Sequence, residues 1–426
     1  MPGRRAAHTL PVPTRTALAE SRAPHDDPVT TIKVLMPLRS LYLVALFAGT
    51  PGAAGAQRSD TTATESIVPG VAHWTMVDRA GPWTVNVVAV DLRRTGISIR
   101  AARADDSLRG REPVSAIVRR LSSDTARVVA AINADFFDLK TGEAENNQVL
   151  DGEVWKGLPA RVATSLRRPL RSEFAIDAAG RPLIDTFALA ASLIRKHHDP
   201  VTIAGVNARQ GSSGVTLYTP RFGTSTPIDT SGSVEVPLRP LSRHGDSLVF
   251  RVLAAPIVGG QVSLRDADVV EFAAGDTAGV VPYLGDTVTV VLAMHPAPRP
   301  LRLLVGGGPR LAVHGTSIVD GVERPEGTAQ SFAVVRHPRT GVGISRDSNT
   351  VFFITVDGRQ ESSSGMSLAE FARLMLQVGV YDGLNLDGGG STTMVIDGRV
   401  VNHPSDPGGE RAVGNALLVV QVAHGH

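Results

Sequence analysis

From residue 71 to residue 422 the sequence is cut into short apolar runs by glycine and proline, and this punctuation constrains the fold more than any other feature. The chain holds 43 Gly and 28 Pro, residues that helix interiors disfavour and turns require. The runs at 71–77, 85–90, 97–101 and 128–132 are five to seven residues long. That length, with valine and isoleucine prominent, reads as strand. Further runs at 174–177, 201–206, 215–218, 233–238, 248–253 and 287–293 continue the pattern without an internal repeat or a linker. Asp-Gly turns at Asp151-Gly152 and Asp397-Gly398 read as hairpins.

Only two segments carry a helical period. Val114, Ile117, Val118 and Leu121 recur at helical spacing within 112–121. Leu368, Phe371, Ala372, Met375 and Val378 do so behind the capping box Ser367-Leu368-Ala369-Glu370, with Gly379 at the stop position. The expectation is an α+β fold: strand-rich mixed or antiparallel sheets with a few packing helices, in a single domain over 71–423. With 426 residues, 42% of them hydrophobic, there is apolar chain enough for a large core.

The N-terminal region reads as targeting rather than fold. Met36-Pro37-Leu38-Arg39-Ser40 precedes the apolar run 41–48, then helix breakers, then Ala54-Gly55-Ala56 before Gln57. A basic start, a short apolar centre and a small-x-small exit mark a secretory signal peptide over 36–56. The run is too short to span a bilayer. Residues 1–35 lack periodicity and are expected to be an extension ahead of a true start at Met36, and 57–70 a mobile tail. Without residues 1–56 the chain has 37 basic and 38 acidic residues, net −1, so no nucleic-acid surface is indicated. The expected location is outside the cytoplasm, periplasmic or extracellular, with no stable membrane anchor after signal cleavage. The chain has no cysteine, which excludes disulfides, thiol catalysis and cysteine-ligated metals.

Candidate chemistry gathers where strands end. Tyr381-Asp382-Gly383-Leu384-Asn385-Leu386-Asp387 runs into Gly388-Gly389-Gly390-Ser391-Thr392. Glycines there admit positive φ and close approach, so successive main-chain N–H groups with two hydroxyls can form an anion-sized concavity. The strand 128–132 ends in Asn133-Ala134-Asp135-Phe136-Phe137, and 351–356 ends in Asp357-Gly358-Arg359. The helix after Ser367 returns the chain so that the Asp387 strand can lie beside the Asp357 strand. A second cluster, Gly306-Gly307-Gly308-Pro309, implies close approach either to a ligand or to the Asp387 turn itself. Arg336, Arg339, Arg359 and Arg411 are nearby in sequence; guanidinium forks match phosphate oxygens, and carboxylates flanking an acetal carbon are the tools of glycoside cleavage. Together these groups suit a sugar phosphate. His197-His198-Asp199 is better read as a solvated loop than as a metal site, since adjacent strand residues face opposite ways.

The same residues resemble the phosphodiester glycosidases. The matching stretches include Asn133-Ala134-Asp135-Phe136-Phe137, Gly306-Gly307-Gly308-Pro309, Pro338-Arg339-Thr340, Asp357-Gly358-Arg359-Gln360, Asn385-Leu386-Asp387-Gly388-Gly389-Gly390-Ser391-Thr392, Pro404-Ser405-Asp406 and Glu410-Arg411, in family order between about 125 and 422. The resemblance implies strand-rich layers and hydrolysis of the sugar C1–O bond of a glycosyl-1-phosphodiester, releasing a phosphomonoester. Asp387 and Asp357, with Asp135 third, are then the candidates for nucleophile, base or oxocarbenium stabiliser. Asn133, Arg336, Arg339, Arg359, Asn385, Gly388, Gly389, Gly390, Ser391, Thr392, Gly307, Gly308 and Arg411 are the candidates for substrate binding. Vertebrate members have cysteine-rich additions that this chain lacks, so a wall polymer, an exopolysaccharide, another phosphate-containing polysaccharide or an environmental glycosyl phosphate is the expected substrate. No metal ligands are assigned and no cofactor is certain, although carboxylates from distant strands leave a divalent cation possible. Two other readings stay open: a polysaccharide-binding or assembly module without turnover, and a metal-dependent phosphodiesterase that breaks P–O.

Overall fold

The strands at the centre of the molecule read as unbroken apolar runs because both of their faces are covered. In Trp83–Asp91, Val88 and Val90 point into one core while Val85 and Val87 point into another; in Thr350–Val356, Val351 and Phe353 divide in the same way from Phe352, Ile354 and Val356. Alternation along a strand sends neighbours to opposite faces, so two cores demand two apolar sets. The computed structural model describes residues 60–159, 171–208, 214–275, 277 and 279–423. The extension expected at 1–35 and the signal peptide expected at 36–56 lie outside the described residues.

A nine-stranded antiparallel sheet has the order Asp60–Thr61, Val71–Asp78, Trp83–Asp91, Thr350–Val356, Arg339–Ile344, Asp382–Asn385, Arg310–Val313, Thr316–Ser317, with Glu65–Val68 paired beside Val71–Asp78. Within the stretch expected to be a tail, therefore, two short strands are paired. A five-stranded antiparallel sheet, Arg399–Val400, Met394–Ile396, Ala126–Asn133, Asn415–Val422 and Ile97–Arg103, shares its core with the first. A second five-stranded sheet, Pro182–Asp185, Glu173–Asp177, Leu301–Gly306, Gln148–Leu150 and Glu153–Lys156, closes that core through Phe174, Ile176, Leu303 and Val305.

Seven of the remaining eight strands form a closed barrel, the eighth, Ile257–Gly260, pairing only along Asp229–His244. Ser247–Val252, Thr287–His295, Ala188–Arg195, Val201–Val206, Val215–Tyr218, Asp268–Phe272 and Asp229–His244 pair in turn, and the last pairs back to the first. Closure removes the exposed edges that an open sheet would leave. Phe250, Phe272, Val236 and Val288 fill its interior, in a core separate from that beneath the central sheets.

The expected α+β class is overturned. Strands take 48% of the structure and helices 9%, so the fold is essentially all-β with a seven-stranded barrel. The helical periods are real, but each is too brief to make a layer. Helix α1 (Val114–Leu121) covers the outer face of one five-stranded sheet, α2 (Gln330–Val334) is a single turn and a half, and α3 (Leu368–Gln377) covers the outer face of the nine-stranded sheet. Helix α3 begins as its capping box requires, with Ser367 Oγ accepting from the Glu370 N–H and the Glu370 carboxylate accepting from the Ser367 N–H at 2.9 Å.

The Asp382–Asn385 strand does not lie directly beside Thr350–Val356, because Arg339–Ile344 runs between them and pairs with both. Two antiparallel steps leave the outer strands pointing the same way. Asp357 and Asp387 thus emerge at one edge on either side of Pro338. The second sheet is tied in at the same place, where the Asp387 N–H donates to the Ala134 carbonyl at 2.9 Å.

Candidate active site

Four chain segments meet at that edge and enclose a cleft of about 210 Å³ lined by Phe332, His337, Arg339, Arg359, Asp387, Gly388, Gly389, Gly390 and Arg411. Of the three candidate acids, Asp387 alone lines the cleft. Burial pushes its carboxyl up to about 7, against the pull of the Ser391 hydroxyl and the Arg411 charge, while Asp135 pushes it further up.

Asp135 lies behind this wall, 2% exposed. Its carboxylate accepts from Asn146 Nδ2 at 2.7 Å and Gln148 Nε2 at 3.0 Å. Burial still holds it at about 6, the hydrogen bonds from Asn146 acting in the opposite direction. Beyond it Glu173 is also buried and is pushed well above the usual carboxylate range by desolvation, with Asp135 adding to the effect. The Asp387 carboxyl therefore faces the cleft with the buried Asp135 carboxyl at its back, which disfavours its ionisation.

Asp357 points elsewhere. It is 1% exposed and accepts from Asn402 Nδ2 at 3.2 Å, from the His403 N–H at 3.0 Å and from His403 Nδ1 at 3.2 Å. Burial raises its carboxyl, and the His403 and Asn402 donors partly offset that. Asp357 faces the 402–403 segment and does not line the cleft, which corrects its expected place beside Asp387.

Three of the four candidate arginines line the cleft, each held differently. Arg359, at φ +60, is exposed, brings its guanidinium against Gly389 and donates from Nη1 to Ser405 Oγ at 3.4 Å. Arg411 forks onto Asp406 at 2.7 and 3.0 Å and reaches Ser391 Oγ from Nη1 at 3.4 Å. Arg339 is wholly buried, stacks on Phe332 with its guanidinium 4.8 Å from the ring, and donates to the carbonyls of Met366, Phe332 and Val335. Its Nη1 has no partner, and burial pulls its guanidinium down to about 9. A buried cation without a matching carboxylate invites an anion. Arg336 does not belong with these three: it is exposed, paired with Glu370, and stacked on Trp83.

The triple-glycine turn is shaped by close approach. A Cβ on Gly388 would stand 2.6 Å from the Pro338 carbonyl oxygen, and one on Gly390 2.1 Å from both Arg411 and Asp406. Its expected cradle of N–H donors is largely spent internally, however. Gly389 donates to Pro338, Ser391 to Gly388 and Thr392 to Gly389, while the Gly388 N–H serves Asp387. Ser391 and Thr392 are buried, so the glycines line the cleft with main chain whose N–H groups are mostly taken, and Arg359 and Arg411 are the main donors left for an anion. Asn133 braces the turn, donating from Nδ2 to the Asp387 carbonyl at 2.6 Å and accepting from Thr340 Oγ1 and the Thr393 N–H.

Gly307, Gly308 and Asn385, expected at the substrate, are packing residues. The Gly308 N–H donates to the Asn385 carbonyl at 2.8 Å and Asn385 Nδ2 donates back to the Gly308 carbonyl at 2.9 Å. All three are buried behind the Asp387 strand. A Cβ on Gly307 would meet the Asn385 carbonyl at 2.8 Å, so the second glycine cluster approaches the Asp387 strand and not a ligand.

Sequence reasoning missed Phe332, His337 and His403. Phe332 forms one wall, set edge-on to Phe136 at 6.0 Å. His337 is pulled down by burial, then by Arg339 and Arg359, and so favours the neutral ring. Neither stands at an acid-bearing strand end. His337, directly before Pro338-Arg339-Thr340, and His403, directly before Pro404-Ser405-Asp406, each had a motif next to it.

Comparison with known proteins agrees with the ordered motifs. The phosphodiester glycosidase family model matches residues 254–420. The SPbeta prophage-derived uncharacterized protein YomE of Bacillus subtilis is 41% identical over 85 residues, 20% of this chain and 13% of that protein. N-acetylglucosamine-1-phosphodiester alpha-N-acetylglucosaminidase of Homo sapiens is 39% identical over 80 residues, 19% of this chain and 15% of that protein. The chain thus spans 13 to 15% of the length of these curated relatives. The crystal structure of a hypothetical protein from Synechocystis superposes with a TM-score of 0.66 at 22% identity, covering 86% of this chain and 64% of that one, a likeness of fold. The resemblance to phosphodiester glycosidases is shown over this C-terminal segment, which contains Arg339, Arg359, Asp387 and Arg411.

Proposed function

We propose that this chain is an exported hydrolase that frees a sugar from a glycosyl-1-phosphodiester by breaking the C1–O bond. One observation carries the reading: a single carboxyl, Asp387, shares a small cleft with the guanidinium groups of Arg359 and Arg411, while Arg339, also in the lining, is itself buried. Phosphate is the group that guanidinium forks suit, and a carboxylate opposite it suits the positive charge that grows at an anomeric carbon. The match to phosphodiester glycosidases supports the same chemistry.

Bond breaking sends the electron pair to the bridging oxygen, which leaves on a phosphomonoester. The arginines offset its charge as it departs. Asp387 in its ionised form meets the sugar carbon, as nucleophile, as base toward water, or as electrostatic partner of the oxocarbenium ion. The half-buried Phe332 offers an apolar wall for the sugar's C–H face. A phosphate-bearing wall polymer, exopolysaccharide or free glycosyl phosphate is the substrate class proposed.

The test uses a panel of alkyl and aryl glycosyl-1-phosphodiesters in ¹⁸O-labelled water. Wild type is expected to give free sugar labelled at C1 with an unlabelled phosphomonoester, and Asp387→Asn to lose at least about 10³-fold in kcat while keeping its circular dichroism. Label in the phosphate would mean P–O cleavage and end the proposal, as would wild-type turnover by Asp387→Asn.

A further inference from the structure

Hydrolysis must send a proton of water somewhere, and the cleft offers few places. Its lining is glycine main chain, Phe332, three arginines, and two side chains able to take up a proton, Asp387 and His337. Arginine donates hydrogen bonds and accepts none. The Asp387 carboxyl is engaged by the Ser391 hydroxyl and the Arg411 charge, and it is the group set opposite the sugar carbon. That leaves His337 as the acceptor not committed to the carbon.

The imidazole, not the main chain, is what His337 presents there. Its N–H donates to the Met366 carbonyl at 3.2 Å, and its carbonyl accepts from the Met366 N–H at 2.9 Å. Gly365 packs so closely on the same main chain that a Cβ would stand 2.4 Å from the His337 carbonyl carbon and oxygen. With that main chain covered by residues 365–366, the half-buried ring is the part left to line the cleft. The next residue, Pro338, accepts the Gly389 N–H at 2.9 Å. The ring is thus held one residue from the contact that seats the triple-glycine turn.

Its surroundings make the ring an acceptor. Burial, then the Arg339 and Arg359 charges, disfavour a second proton. Asp387 and Arg411 share the lining, while Glu370 at the start of α3 is engaged by Arg336. The Ser331 main chain hydrogen-bonds the ring in the sense that favours a proton, so one nitrogen holds its N–H there and the other carries a lone pair. A neutral imidazole adds no charge to phosphate binding. It can receive a proton.

We infer that His337 is the general base that takes a proton from the water attacking C1; this rests on the reading of the cleft as a glycosyl phosphodiester site. The water oxygen bonds to C1 as the bond from C1 to the phosphate oxygen breaks, and the electron pair of that bond leaves on the phosphomonoester. The water's proton passes to the ring's lone pair, and the imidazolium, disfavoured beside Arg359, gives it up to solvent. The balance is one water consumed, with free sugar, a phosphomonoester and one proton formed. Asp387 stays ionised, facing the carbon.

Kinetics and NMR of the full chain test this. His337→Gln is expected to lower kcat about 10²-fold with KM within about twofold and its circular dichroism unchanged. Both Asp387 and His337 must be unprotonated, so the acid limb of the wild-type kcat profile is expected to fall with one proton and then, below the ring's own midpoint, with two. His337→Gln keeps the one-proton fall throughout. NMR titration of the His337 Cε1–H resonance, identified by its absence in His337→Gln or His337→Asn, supplies that midpoint. If wild type hydrolyses the diesters and His337→Gln matches it in kcat, or the wild-type limb stays at one proton below the ring's midpoint, the base role falls and the reading of the cleft stands. If wild type releases no sugar from any diester, that reading falls and the base role with it. Should His337→Gln not fold, His337→Asn and the wild-type limb decide.

Discussion

At the scale of the residue, Asp387 is a liability the fold carries for its site. Its carboxyl titrates at about 7 in the folded chain against about 3.9 when unfolded. The folded state therefore binds the proton more tightly, and stability is greatest below the unfolded value and declines as pH rises toward 7. Asp135, held at about 6, acts in the same direction. Replacing Asp387 by Asn should remove its share of that decline. The variant is expected to be more stable than wild type at pH 8, by on the order of 2 kcal/mol, with the difference vanishing below about pH 4. Urea midpoints across that range check the sign; a variant less stable at pH 8 would contradict it. Asp387, Arg359 and Arg411 were legible because each sits in a motif at a strand end or loop. Phe332, His337 and His403 take their surroundings from neighbours remote in sequence, so even the motifs beside the two histidines did not single them out.

At the scale of the element, the turn after Leu386 works by exclusion of side chains. Gly388 passes within van der Waals reach of the Pro338 carbonyl, and no rotamer change relieves a Cβ there. Gly388→Ala must move either the main chain at Pro338 or the turn itself. A loss of about 1–3 kcal/mol is expected, together with a raised KM because the Arg359 and Asp387 segments separate. Chemical denaturation and steady-state kinetics measure the two. Glycine spacing in the sequence announces such a turn but not what it approaches; Gly307 and Gly308 carry the same signal and pack against a strand instead. The capping box at Ser367 is local chemistry, and the helix starts where it says.

At the scale of the molecule, the barrel and the cleft are built on different cores. Phe250 is 1% exposed and fills the barrel interior, while the cleft residues project from the central sheets. Phe250→Ala should cost about 3–5 kcal/mol and leave kcat and KM per folded molecule unchanged. Thermal melts and kinetics below the melting range test that independence. A changed KM would mean that the barrel helps shape the cleft.

Strand lengths, turn chemistry, helix caps and the ordered polar motifs are local properties, set by backbone preference and side-chain chemistry over a few residues, and the sequence alone determined them. It could not rank the classes α+β and all-β, because two brief helical periods look alike whether the strands around them form open sheets or a closed barrel. Nor could it separate Asp387 in the cleft from Asp357 beneath His403. Pairing partners, the insertion of Arg339–Ile344 between two site strands, and the burial that moves a carboxyl to about 7 arise from contacts between residues tens to hundreds of positions apart. Only the closed tertiary structure selects those.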